Sequence, residues 1–258
     1  MKVYKMFTRT QDIKQLRKRK MFTGQKNQSA LIPPVVQSDN NKLKIINGAL
    51  NLLAHLMIGA TVGTAITFCL REGEMNATRI HIILCVLGYQ LLIAESILSL
   101  SPHNSWSSSL KFTQKRQAHW ILQIVGSGLA ITGSFIKILN QSSHWKTLHA
   151  KFALVALVFT IASLVNGVTS LFANELRRIL PGTLSKITHI IFGTIAFGAA
   201  SISLCYGFNK GSFRKWTTPE VAATVIVLTA SLTLIIIVNP LITFSNKTVR
   251  SLRRRRFM

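Results

Sequence analysis

Apolar residues in this chain come in long blocks rather than being interleaved with polar ones at helix or strand period. Six stretches, roughly 45–70, 80–100, 118–139, 148–172, 187–208 and 220–244, stand out. Each is long enough to cross a hydrocarbon core of about 30 Å as a helix, which takes about 20 residues. Helices are predicted rather than strands, because in lipid only a helix satisfies its own backbone N–H and C=O groups within one segment. The connections are short, so successive spans run antiparallel beside one another. The predicted fold is an all-α integral membrane protein of six transmembrane helices, with spans two to five forming a four-helix bundle.

Polar and charged positions divide the rest. A basic N-terminal tail at 1–44, predicted to be disordered, precedes a six-span domain at 45–244, and a basic C-terminal tail follows at 245–258. The 258 residues carry 31 Lys and Arg against 7 Asp and Glu, a formal net charge of +24. That excess sits mostly in the tails and in the 101–117 and 173–186 loops, not on a basic stripe with readable nucleic-acid motifs, so nucleic acid is not an expected partner. The short loops are balanced between the two faces. Lys42, Lys44 and the run Arg253 to Arg256 set the orientation, with both termini cytosolic by the positive-inside rule. Trp106, Trp120, Trp145 and Trp216 fall at or beside predicted span ends, where amphipathic rings prefer the headgroup region. Cys69, Cys85 and Cys205 lie in apolar runs and read as small buried hydrophobes. Asn76 and Asn140 open glycosylation triplets in predicted lumenal loops.

Candidate chemistry rests on histidine. His81, His119, His149 and His189 each stand near the start of one of spans two to five, at intervals of 38, 30 and 40 residues. Antiparallel spans put His81 and His149 at one face and His119 and His189 at the other. Two His pairs, one above the other, predict two bis-histidine haems b, because two neutral imidazoles fill both axial positions of a haem iron. Such six-coordinate iron performs outer-sphere electron transfer. Zinc would need three or four ligands at one depth, and each face offers two. His103 and His144 sit in loops, and His55, in NLLAHLMIG, is expected to hydrogen-bond a neighbouring helix. Gly126, Gly128, Gly133, Gly193 and Gly198 would let a macrocycle or another helix approach closely.

The stretches AESILSLSP, KRQAHWILQ, TLHAKFALVALV and LSKITHIIFGTIAFG, together with the order and spacing of the four histidines, resemble the cytochrome b561 family, specifically its short six-span subgroup with a cytosolic N-terminus. The resemblance covers about residues 45–245. It implies a transmembrane ascorbate-dependent oxidoreductase. Cytosolic ascorbate would donate at the His119/His189 haem, and the electron would pass to the His81/His149 haem. Monodehydroascorbate or ferric iron would then be reduced on the lumenal or extracellular side. The chain departs from the family pattern with Ile82 after His81, Ala150 after His149, and Gln117 where a lysine is common.

Ascorbate is an anion, so cations flanking the cytosolic ligands are candidates for binding it: Lys111, Lys115, Arg116 and Lys186. Lys146, Lys151 and His144 are the candidates for the lumenal acceptor. Glu95, deep in span two, is expected to accept a hydrogen bond from a ligand imidazole, to pair with Lys186, or to serve as a polar partner in helix packing. Expected partners also include the lipid bilayer and a second copy of the chain, and the expected location is an endomembrane (endoplasmic reticulum or vesicle). A haem-free polytopic transporter or scaffold is the competing reading. It would call for spans broken by mid-membrane Gly and Pro, whereas Pro240 lies near the end of span six.

Overall fold

A computed structural model of the chain describes residues 34–172 and 182–256. All regular structure among these residues is helical: α1 (Pro34–Leu70), α2 (Ala77–Ser99), α3 (Phe112–Leu139), α4 (Leu148–Leu171), α5 (Gly182–Phe208), a short α6 (Gly211–Trp216) and α7 (Pro219–Arg256). Six of them, all but α6, are long and apolar enough to cross a membrane, as the six apolar blocks predicted. Boundaries differ at several helix ends. α3 begins at Phe112, ahead of its apolar block, so Trp120 lies two turns inside the helix rather than at its end. α1 begins at Pro34, within the stretch assigned to the tail, and α7 carries the Arg253 to Arg256 run on its last turns. Residues 1–33 lie outside the described residues.

Helices α2 and α3 form one antiparallel hairpin and α4 and α5 another, with α3 against α4 and α2 against α5 closing the ring. α7 packs on α5. The burial pattern is inverted relative to a water-soluble protein. Leu56, Val158, Val227 and Leu234 are more than half exposed, while Thr61, Ser96 and Thr229 are fully buried. Apolar side chains point outward because lipid tails are as apolar as the helices, and the interior holds small polar residues that let backbones approach. Thr61 and Thr229 donate to carbonyls one turn back in their own helices, so neither hydroxyl is left unpaired.

The α2/α3 contact is the tightest. Gly88 packs on the backbone of Gly126 and Ala130, and a β-carbon at Gly88 would fall 2.6 Å from the Gly126 carbonyl oxygen. Around it, Val86–Ile93 is wound as a π-helix, which inserts a residue into the turn count of α2. At the start of α2 the Asn76 side chain accepts from the amides of Thr78 and Arg79 and caps the helix. The Arg79 guanidinium donates to the carbonyls of Arg71, Glu72 and Gly73, holding the 71–76 connection against that helix end.

Candidate haem-binding and electron-transfer site

The four span-start histidines meet in two pairs. The rings of His81 and His149 have centroids 6.4 Å apart, and those of His119 and His189 6.2 Å apart, with perpendicular planes in both pairs. Each pair takes one histidine from the α2/α3 hairpin and one from the α4/α5 hairpin.

Each imidazole is oriented by a backbone carbonyl of its hairpin partner. His81 Nδ1 donates to the Gly133 carbonyl (2.9 Å) and His119 Nδ1 to the Ser96 carbonyl (2.9 Å). In the second hairpin His149 Nδ1 donates to the Ser203 carbonyl (2.7 Å) and His189 Nδ1 to the Ser163 carbonyl (3.0 Å). A carbonyl oxygen only accepts, so every Nδ1 carries the proton and every Nε2 keeps its lone pair. That tautomer is the one a metal ligand needs, and a hydrogen bond from the far nitrogen raises its basicity. The Ser96 and Ser203 hydroxyls donate to the main-chain carbonyls of His119 and His149, clamping these two histidines at two points.

The carbonyl partners obey a spacing rule. Gly133, Ser163 and Ser203 lie 14 residues beyond the histidine of their own helix, and Ser96 lies 15 beyond His81. Fourteen residues bring a helix back to nearly the same face after a rise of about 21 Å. Each helix therefore presents a paired histidine at one end and a carbonyl acceptor for the other pair at the opposite end. The extra residue in α2 matches its π-helical insertion between His81 and Ser96. Sequence reading singled out Gly133 only as a small residue and missed the three serines, although this spacing carries the signal.

The residues fit haem iron. A His nitrogen–metal bond of about 2.0 Å, plus roughly 1.1 Å from that nitrogen to its ring centre, would place two imidazole centroids about 6.2 Å apart across one metal. Both pairs match that separation. Glycine makes room beside the rings: a β-carbon at Gly167 would stand 3.2 Å from His189 Cε1, and one at Gly207 would stand 3.6 Å from His149 Cε1. Among the described residues no group of three or more His, Cys, Asp or Glu could hold a metal ion by themselves, so the pairs are suited to a metal whose remaining ligands come from a macrocycle.

A cavity of about 650 Å³ opens beside the His119/His189 pair, lined by Tyr89, Trp120, Arg116 and Lys186 among others. Arg116 and Lys186 are thus brought together with that pair. The other two cations expected there are not. Lys115 is buried and spends its ammonium on the Ser101 carbonyl (3.0 Å), and Lys111 is the exposed N-cap of α3, outside the cavity lining.

At the opposite end, His144, Lys146 and Lys151 are exposed, with His144 against Trp145. Two lysines not anticipated there are better placed. Lys137, in the last turn of α3, donates to Thr78 Oγ1 (2.9 Å), one turn before His81. Lys210 follows the end of α5, its amide bonded to the carbonyl of Gly207, the residue packed on His149. Partial burial of the Lys210 ammonium, and then the charge of Lys137 nearby, push its pKa below the usual lysine value.

Glu95 pairs with neither a ligand imidazole nor Lys186. Its Oε1 accepts from His55 Nδ1 of α1 at 2.6 Å and its Oε2 from the Trp106 indole N–H at 2.9 Å. This His55–Glu95 pair is an ion pair when the imidazole is protonated. The expected bond from His55 to a neighbouring helix is therefore present, with Glu95 as the partner.

A sequence profile of the eukaryotic cytochrome b561 family matches residues 80–214, which holds all four paired histidines and their four carbonyl partners. The chain is 26% identical over 212 residues to the transmembrane reductase CYB561D2 of Mus musculus, an overlap of 79% of this chain and 92% of the relative. It is 26% identical over 211 residues to that of Homo sapiens (79% and 91%) and 28% identical over 207 residues to that of Bos taurus (76% and 87%). With more than half of its length matching the profile, the chain belongs to the cytochrome b561 family.

Proposed function

We propose that the protein takes electrons from cytosolic ascorbate at the His119/His189 end and delivers them at the His81/His149 end to monodehydroascorbate or ferric iron. Transmembrane electron transfer by an oxidoreductase that binds haem b is the activity of the family it belongs to. The finer reading adds two haems, the direction and the substrates. Its main support is the pair geometry: two imidazole pairs at the separation of trans axial ligands, every one with its proton parked on Nδ1. His81 with His149, and His119 with His189, would each hold one haem b. Haem held there would supply outer-sphere electron transfer.

The protein's own groups do the rest. Arg116 and Lys186 attract the ascorbate monoanion into the 650 Å³ cavity, and the apolar lining holds water away from it. One-electron oxidation of that monoanion releases a proton as well, and the two cations favour the deprotonated form of the donor. Residues 45–244 are the catalytic domain. The tails at 1–44 and 245–258 lie on the cytosolic side, where basic residues meet anionic headgroups. An endomembrane location and a homodimer belong to the same proposal. Ascorbate added to the detergent-solubilised protein should raise a sharp reduced-haem α-band, with about two haems b per chain. A colourless protein after haem-replete expression contradicts the reading.

At the acceptor end Lys137 and Lys210 replace Lys146, Lys151 and His144 as the cations that meet an anionic acceptor. The sign of the pH dependence follows from Lys210. Because its pKa is lowered, its charge is lost at a lower pH than that of an ordinary lysine. KM for an anionic acceptor such as ferric citrate should therefore rise on the alkaline side, while a cationic acceptor such as hexaammineruthenium(III) shows no such rise. Lys210→Gln should lift KM for ferric citrate about fivefold and remove the alkaline limb. An unchanged profile in that variant removes Lys210 from the site.

A further inference from the structure

Between α2 and α3 the connection at 100–111 is folded down by a set of buried polar contacts. Asn51 and His55, one turn apart on α1, face it together. Asn51 Oδ1 accepts from the Ser105 amide (3.1 Å), and His55 Nε2 meets Asn104 Oδ1 (3.0 Å). On the other side of the imidazole stands Glu95, which also holds Trp106 from the connection. Ser107 Oγ donates to the Ser99 carbonyl, and Lys115 Nζ to the Ser101 carbonyl. Asn104 and Ser107 are fully buried. Helix α1 holds none of the four paired histidines, yet two of its contacts, together with the bond from Trp106 to Glu95, converge on this one connection.

The far side of the same connection is a wall of the donor cavity. Leu100, Ser101 and Pro102 line it, facing the space shared with His119, Arg116 and Lys186. Glu95 is adjacent in sequence to Ser96, whose carbonyl orients His119. Glu95 itself is absent from the cavity lining, so it acts on the cavity only through what it holds.

We propose that the His55–Glu95 pair is a strap that sets the position of the Leu100–Pro102 wall, making His55, Glu95 and Trp106 positioning residues for the cytosolic electron donor. The geometry supports a directional tie. Both Glu95 oxygens accept, and the 2.6 Å bond to His55 is in the range of charge-assisted hydrogen bonds. Asn104 faces Nε2 on the other side of the ring, so the imidazole ties α1 to the connection as well as to Glu95. The strap leaves the ligand pairs untouched, so its loss loosens donor binding before it affects haem.

The assignment of ascorbate as donor is the reading given above, and the test separates the two. In the full-length protein in detergent, Glu95→Ala should raise KM for ascorbate roughly tenfold with kcat and haem content near wild type. Glu95→Gln, which keeps an acceptor for Trp106 and a partner for His55, should restore most of the wild-type KM. Trp106→Phe, which removes one N–H, should give a smaller rise in the same direction, and His55→Leu should raise KM with both haems retained. Hydrogen exchange of peptides covering 100–111 should quicken in Glu95→Ala whatever the donor. Unchanged exchange and unchanged KM in the haem-loaded variants overturn the strap. So does a fall of kcat and haem content in step with KM, which would make the pair a general support of the fold. Should Glu95→Ala fail to accumulate, Trp106→Phe and Glu95→Gln decide by the same readouts. A wild-type protein that ascorbate cannot reduce, but whose 100–111 exchange still responds to Glu95→Ala, removes the donor reading and keeps the strap.

Discussion

His119→Leu should halve the haem content, from two per chain to one, and abolish reduction by ascorbate while leaving the His81/His149 haem in place. His119 sits on α3 and His189 on α5, their ring centroids 6.2 Å apart, and Leu at 119 would leave His189 without its imidazole partner. It also takes the imidazole away from the Ser96 carbonyl and hydroxyl, but that carbonyl still accepts from Ser99 Oγ and that hydroxyl still donates to the main-chain carbonyl of residue 119, so the α2/α3 hairpin keeps its other bonds. The other pair draws on Gly133 and Ser203, which do not move with His119. Haem extraction as the pyridine complex gives the count. Electron paramagnetic resonance adds a second reading, because perpendicular imidazole planes leave the iron d-orbitals nearly degenerate and give a strongly anisotropic low-spin ferric signal. One of two such signals should vanish. His149→Leu should remove the other. Loss of both signals from either substitution would mean that the pairs are not independent sites.

Gly88→Val should be the most damaging substitution away from the histidines. A β-carbon there meets the Gly126 carbonyl oxygen at 2.6 Å, the Ala130 amide nitrogen at 2.8 Å and the Ala130 methyl at 2.9 Å. Two of those three atoms are backbone, so no side chain can swing aside and the α2/α3 hairpin must open. Overpacking of a core costs typically about 1–3 kcal/mol, and a backbone obstacle with three added carbons belongs at or above the top of that range. Opening the hairpin also pulls His81 from the Gly133 carbonyl and His119 from the Ser96 carbonyl, so both pairs suffer. The variant should accumulate poorly and carry little haem. Gly128, also on α3, has nothing within 4 Å of an added β-carbon, so Gly128→Ala is the matched control and should behave as wild type in haem content and melting temperature.

Much of this architecture is written in the chain. The apolar blocks predict six spans because lipid tolerates few alternatives, and the four histidines stand out because an ionisable residue rarely opens a membrane helix without cause. Antiparallel alternation alone assigns the two pairs. What stays hidden depends on contacts between helices. The carbonyls of Ser96, Gly133, Ser163 and Ser203 carry no side-chain signature, and only the 14-residue spacing within each helix betrays them. The π-helical insertion that makes the first of these spacings 15 leaves no compositional mark.

The cations show a different limit. Proximity in sequence to His149 suggested Lys146 and Lys151, but Lys137 and Lys210 reach that end from α3 and from the end of α5. Lys115 looked like a donor-site cation and is instead part of the fold of the 100–111 connection. Of the roles expected for Glu95, a ligand imidazole, Lys186 or polar helix packing, the contact it makes is the last, and its partner is on α1, a helix the histidine pattern leaves out. Sequence neighbours predict side-chain partners well along one helix and poorly across a loop, because a loop can return a side chain to any of several faces.

The proposed path takes electrons across the bilayer through the two histidine pairs in series. Vesicles of purified lipid and full-length protein, loaded with ascorbate and carrying an impermeant ferric chelate outside, measure it directly. The wild type should reduce the external iron, and both His119→Leu and His149→Leu should stop it, since each breaks the series at a different end. Reduction that persists in either variant, or its absence in a haem-loaded wild type, would contradict the account.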